Sequence, residues 1–473
     1  MPKILLISVA LTATLIGGVQ SANAVPAFAR QFDVQCNVCH TRPPRLNSFG
    51  EQFHMMGFQV PSAARPGGLV EKLRDEKLVK TILDTLAFRI EGGGFEYSRA
   101  PGEEEKRFVA PEEFTLFVTQ PLTPDLSFFV ELEAEPNAVV FEQGRYTVKG
   151  QAGLGKEAFF MLSLGRLLGL AGAPTMEMGG QTMVGRHGGF NMHGPTLMAG
   201  KIDPSTNFSY PTNRQIIAAT ETEVKHGEVE RLPVVPYAFV SKFFGLFKDR
   251  DEREPQLVTD QVMYNTRGSH GVDLHAMLNN LFNGYPMLAQ VGVLRENEGW
   301  NSYGVWRIEL GERDRFTANL SALVNWGFGV ARAPEADDPD HPDRKIDRLR
   351  YGIAATARWK ALDVYGALIW DRLFNLPDGL GNSFDRTAAG LTLAFDYLIH
   401  EQVMLSTRFD QLWAGGLRDQ KHDGSVMSFQ AKYFPWQNIA FFVRESVNLR
   451  KTIEENALRG WRHQLALGID WDF

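Results

Sequence analysis

Apolar residues recur at every second position over most of this chain, and after residue 24 no apolar run reaches the roughly 20 residues that a membrane-crossing helix needs. Leu126, Phe128, Val130, Leu132 and Ala134 share one face of a strand, while Ser127, Glu131 and Glu133 share the other. Before them, Phe114, Leu116 and Val118 alternate with Thr115 and Thr119, and the segment 121–125 turns one run into the other. Each run has one exception, Phe117 and Phe129, where an aromatic falls on the polar face. The same alternation returns in Leu391, Leu393, Phe395 and Tyr397, in Val403, Leu405 and Phe409, and in Met427, Phe429, Ala431 and Tyr433. Ile439, Phe441, Val443 and Val447 carry the return strand of that last run.

Strict alternation fits a soluble sandwich and a membrane barrel equally, because both have one apolar and one polar face. Two features separate them. The chain begins with Lys3, an apolar stretch at 4–19 and the small-residue site Ala22-Asn23-Ala24, which reads as an export signal over residues 1–24. It ends on a strand with Trp461, His463, Leu465, Leu467, Ile469, Trp471 and Phe473 on one face and Arg462, Gln464, Asp470 and Asp472 on the other. That ending resembles the terminal strand of bacterial outer-membrane barrels. With 33 Phe, 11 Tyr and 9 Trp to furnish lipid-facing girdles, residues 80–473 are expected to form an all-β outer-membrane barrel. Strands of about 9–11 residues would make about 16 of them. Segment 179–210, rich in Gly, Met and Pro, reads as a loop or a plug-like inward excursion.

Both cysteines of the chain fall in Cys36-Asn37-Val38-Cys39-His40, just behind the signal. In an exported chain this spacing points to one covalently bound haem c, with thioethers from Cys36 and Cys39 and His40 as the proximal iron ligand. A zinc site would require a second ligand pair of similar spacing, and a thioredoxin-like pair would sit in a βαβ context; neither is present. Residues 25–79 are expected to be the haem segment and its connector, with prolines at 26, 43, 44 and 61 bracketing a helix over 47–56. His54, Met55 and Met56 are the nearest candidates for the sixth iron ligand. A helix points them about 100° apart, so one at most faces the iron. The other sources are His187, His193 or a methionine of the barrel. Methionine would raise the potential and a second histidine would lower it.

The order of signal, Ala27-Phe28-Ala29-Arg30-Gln31, haem motif, Asn47-Ser48-Phe49-Gly50-Glu51-Gln52-Phe53, Gly57-Phe58 and barrel resembles the fused outer-membrane cytochrome-porins, a monohaem family best known in iron-oxidising bacteria. His54 and Met55 stand where that family commonly has lysine and leucine. The resemblance implies an electron conduit. Extracellular Fe(II), or another outside donor, would reduce the haem, and a periplasmic carrier such as a soluble cytochrome would take the electron onward. The implied activity is outer-sphere Fe(II):cytochrome c oxidoreduction, which needs no substrate-binding acid or base.

Because the apolar girdle of a barrel is about 25 Å tall, a haem beneath it would stand far from any outside donor. A haem segment inside the lumen removes that difficulty and lets the wall serve as the shell that so short a segment cannot build. Net charge of −7 argues against a nucleic-acid partner. The acidic run 335–343 is a candidate cation-gathering outer loop. Two rival readings remain: a solute porin whose cytochrome segment is structural or regulatory, and electron export to an outside acceptor.

Overall fold

The computed structural model describes residues 27–28, 38–42, 45–55, 58, 85–91, 94–100, 103–109, 113–123, 125–142, 145–168, 195–208, 269–282, 285–296, 299–312, 316–333, 344–377, 383–413, 424–436, 439–449 and 463–472. The first regular elements are a two-stranded antiparallel ribbon, β1 (His40–Arg42) and β2 (Arg45–Leu46), and helix α1 (Ser48–Met55). Asn47 starts the helix. Its side-chain oxygen accepts the Gly50 N–H at 2.9 Å and its carbonyl accepts the Glu51 N–H at 3.0 Å, which is the geometry of an N-cap.

The strands of the main sheet follow: β3 (Leu86–Glu91), β4 (Gly94–Ala100), β5 (Glu103–Val109), β6 (Glu113–Pro121), β7 (Leu126–Glu142) and β8 (Arg145–Ser163). Helix α2 (Leu164–Leu167), β9 (Thr196–Ile202) and helix α3 (Ser205–Phe208) come next. Then come β10 (Ser269–Phe282), β11 (Tyr285–Glu296), β12 (Gly299–Glu312), β13 (Phe316–Ala333), β14 (Arg344–Trp359) and β15 (Leu362–Pro377). The last are β16 (Ser383–His400), β17 (Val403–Trp413), β18 (Gly424–Trp436), β19 (Ile439–Asn448) and β20 (His463–Asp472). All pair with their neighbours antiparallel, and β20 closes onto β3 and β4 to complete a barrel. β3 and β4 both pair with β20, while β6 pairs with β3 and β5 with β4, so each couple is one interrupted stave and the wall has 16 staves.

Closure leaves no unpaired sheet edge, the condition a strand protein must meet to sit in lipid. The two faces then divide as a membrane requires. On β14, Arg348, Arg350, Ala354, Thr356 and Arg358 point inward and are buried, whereas Tyr351 and Ile353 between them are exposed on the outside. The outer surface is aliphatic in its middle, with Val291, Val293, Leu320, Val324, Leu393, Leu405 and Val443, and aromatic at both rims. At one rim Phe316 pairs in register with Trp359; at the other Trp300 pairs with Phe328. This is an outer-membrane barrel. Lys360–Ala361 and Glu401–Gln402 join strands by two-residue turns at the first rim, which marks it as periplasmic.

Segment 179–210, expected to be loop or inward excursion, is in part a stave: Thr196–Ile202 forms β9, because it pairs with β8 on one side and β10 on the other. Among the described residues of the segment, α3 turns inward, where Phe208 is buried over Gly352 and the Asn207 side chain donates to Gln290 at 3.0 Å. Residues 1–24, the connector 62–79, His187, His193 and the acidic run 335–343 lie outside the described residues.

The division of faces predicts an asymmetric response to charge. Ile353→Arg, on the lipid side, should cost about 2–4 kcal/mol, while Ile353→Leu should be near neutral. Reversible denaturant unfolding in lipid vesicles measures both.

Candidate functional site

Helix α1 lies in the lumen, spanning from the β12–β14 wall to the β8–β10 wall, and three side-chain contacts hold it. Glu51 is fully buried and its carboxylate meets two wall arginines, Arg307 of β12 through one oxygen and Arg358 of β14 through the other. Arg358 also donates to the Leu46 carbonyl at 3.3 Å. At the far end, His54 donates from Nε2 to Glu157 of β8 at 3.3 Å, and His275 of β10 donates from Nε2 to the Met55 carbonyl at 2.8 Å. That carbonyl is one of those a helix C-terminus leaves without an intrahelical partner.

His275 is itself fixed. Its Nδ1 lies 2.8 Å from Asp273, so both ring nitrogens are engaged. Tyr303 donates to the second Asp273 oxygen at 2.7 Å, and Gln290 donates to the same oxygen. All four of these groups are buried. A donating histidine at a helix C-terminus also suits the negative end of the helix dipole.

A panel of rings completes the seat. Phe58 takes a left-handed φ of 59° and returns its N–H to the Phe53 carbonyl at 2.9 Å. That backbone is costly for a residue with a side chain and persists only where packing over-determines it. Here the Phe58 ring stacks on Phe28 at 4.4 Å and meets Phe129 at 5.0 Å and the His54 ring at 5.1 Å. Phe129 in turn packs on Phe159 at 5.5 Å and Phe117 at 5.9 Å. The two aromatics that break the sequence alternation, Phe117 and Phe129, are therefore inward residues. They belong to the surface on which the N-terminal segment rests.

The haem motif is tied to the same helix. The Asn47 N–H donates to the Cys39 carbonyl at 2.9 Å and its side-chain amide donates to the Val38 carbonyl at 3.0 Å, so one residue caps the helix and pins two carbonyls of the motif. Gly50 has to be glycine: a Cβ there would collide with the Cys39 carbonyl. Cys39 and His40 are half-buried beside α1, and Cys36 and Met56 lie outside the described residues. A thiol and an imidazole beside a helix, in a lumen that carries inward phenyl rings, form a donor set that fits a covalent haem.

Of the other candidates for the sixth ligand, His54 is engaged with Glu157 and boxed by Phe58, Phe129 and Phe159, the latter two at 6.3 Å. Met55 is buried at 1 % exposure, one turn beyond Glu51. Sequence reasoning did not find Glu51, Arg307, Arg358, Glu157 or His275. The pair of misplaced phenylalanines pointed to the wall around His54, and nothing in the sequence pointed to Arg307, Arg358 or His275.

No known family model matches the chain, and no curated protein is similar to it at a significant level. Solved structures similar to it include OmpF of Salmonella typhi, with a TM-score of 0.47 at 13% identity over 82% of this chain and 97% of that one. The anion-selective porin from Comamonas acidovorans gives 0.46 at 11% identity over 82% and 99% of the two chains. The DcaP outer-membrane channel of Acinetobacter baumannii gives 0.42 at 10% identity over 82% and 95%.

Glu51→Gln leaves two buried arginines without their shared carboxylate, and breaking such a pair typically costs about 3–5 kcal/mol. Because the barrel's own ladders are untouched, the loss should appear as faster hydrogen exchange and proteolysis confined to the N-terminal segment.

Proposed function

We propose that this protein is a haem-plugged outer-membrane barrel that carries electrons between an extracellular donor, with Fe(II) as the leading candidate, and a periplasmic carrier. One observation carries the proposal: the helix immediately behind Cys-x-x-Cys-His lies inside the lumen, clamped by Glu51 to Arg307 and Arg358. In this reading residues 25–79 are the cytochrome segment, and 80–473 the barrel around it.

Cys36 and Cys39 would hold the haem through thioethers and His40 would supply its proximal nitrogen. When bound, the group supplies a one-electron couple. The work of the chain is to hold that couple at a fixed depth and keep water from it. Asn47 and Gly50 seat the motif, Glu51 and the Met55 carbonyl fix the helix on opposite walls, and the Phe58, Phe129 and Phe159 rings close the space around His54. The wall contacts on α1 run from the middle of β10 to the periplasmic end of β14, which supports electron transfer to a partner on the periplasmic side.

A second reading takes the barrel as a solute channel and the helix as a regulatory plug. The buried inward arginines Arg348, Arg350, Arg408 and Arg444 favour it, because a basic lumen suits anionic solutes.

Anaerobic mixing of the haem-loaded protein with Fe(II), followed by potential titration, separates these readings. Prompt reduction with a positive midpoint, together with negligible bilayer conductance, is the expected result. A strongly negative midpoint without reduction would point to electron export, and steady conductance with redox silence would establish the channel. Gly50→Ala should lower covalent haem incorporation several-fold while leaving the barrel folded, as read from the ratio of haem absorbance to protein.

A further inference from the structure

We propose that the sixth ligand of the haem iron comes from the barrel wall, as the thioether of Met161 or Met198, an inference that rests on the haem reading above. On β8 the inward row runs Glu157, Phe159, Met161 and Ser163 toward the periplasmic rim, all buried. Met161 stands in register with Met198 of β9, and the two side chains are 2% and 4% exposed. Directly opposed residues on neighbouring strands have Cβ atoms about 4.5–5.5 Å apart, so the wall presents two thioethers side by side to the lumen.

The described residues of α1 offer no comparable donor. His54 lies one turn beyond Gly50, on the helix face that meets the motif, yet its Nε2 is on Glu157 and three phenyl rings surround the imidazole. Nε2 is the nitrogen that projects farthest from the backbone, and it is the one that reaches a metal across a broad macrocycle. Met55 lies one turn beyond Glu51, on the same helix face as the clamp, and is buried.

Placement favours the methionine pair. Leu46 stands in register with His40 and gives its carbonyl to Arg358, the last inward residue of β14 before its periplasmic turn. The motif thus meets the wall on the periplasmic side of the lumen. Met161 is displaced from Glu157 and Phe159, which touch His54, toward that same end.

The bond needed is a sulfur lone pair donated to iron, with no proton or electron changing hands. Its consequence is a raised potential, which suits a donor as weakly reducing as Fe(II). It also makes the iron site incomplete without the barrel.

The test is the absorption and magnetic circular dichroism of the full-length haem-loaded protein, comparing wild type with Met161→Leu, Met198→Leu, the double variant and His54→Gln. Leucine replaces methionine at nearly equal volume, so the barrel tolerates it. Wild type should show low-spin haem with a thioether-to-iron charge-transfer band. That band should be lost, with conversion to high spin and a lower midpoint, in one single variant and in the double, and kept in His54→Gln. A thioether band that survives the double variant, or a wild type with bis-histidine or high-spin signatures, overturns the assignment while leaving the haem reading intact. Wild-type protein without covalent haem, made in cells that mature c-type cytochromes, overturns both.

Discussion

Glu51 sits between Arg307 and Arg358 with no exposure to solvent, and its two oxygens are shared between strands that are not neighbours in the wall. Two guanidinium groups facing one lumen site would repel without an anion between them, and burial removes the water that would screen them. The barrel is therefore built to receive a carboxylate that the N-terminal segment brings. Gly50, the adjacent residue, permits contact with the Cys39 carbonyl, so the helix that the arginines hold also holds the Cys-x-x-Cys-His motif. Wall, helix and motif form one chain of dependence running through two consecutive residues.

The second requirement is shelter. A segment of this length cannot bury enough of its own surface to form a core alone. The barrel compensates by turning aromatics inward where a porin would keep polar residues. Phe117, Phe129 and Phe159 form a surface for Phe58 and His54, Phe28 stacks on Phe58, and Glu157 beside them accepts from His54 Nε2. In lipid-facing strands such a change would be invisible. On the lumen side it is a departure from the polar rule, and it marks where something docks.

This explains how far the sequence could be read. The alternation in 114–134 and 391–447 identifies staves because a strand's period is set by its own backbone, and Asn47 identifies the helix start because capping is local. Phe117 and Phe129 were legible as exceptions. Their meaning was not, since Phe58 lies far away along the chain. Arg307, Arg358 and His275 carry no signal at all: an inward polar residue is what any barrel strand contains, and its partner is fixed by closure and register rather than by spacing. β9 was hidden for a related reason, because its seven residues, including two glycine-free turns of alternation broken at Gly200 with φ 141°, look like loop until the flanking strands are in place.

On the proposed reading, a helix that spans the lumen from one wall to the other suits an electron carrier better than an open solute channel. Solutes need a continuous wet path, and each group that clamps α1 also narrows that path. An electron requires only short separations and a fixed couple, and benefits from the low dielectric that the rings and buried ion pairs create. The inward arginines on β14, β17 and β19 remain compatible with either task, since they would draw anions into a pore or offset the negative charge of a bound macrocycle's carboxylates equally well. The clamp on Glu51 is not neutral in this way. A gate meant to open would have to take Glu51 from two buried cations at every opening and leave them to Glu309, 3.4 Å from Arg307, and Asp363, 3.8 Å from Arg358, at a cost of several kcal/mol. On the proposed reading the clamp is a permanent fitting, and the group seated beside it, rather than a solute path, does the conducting.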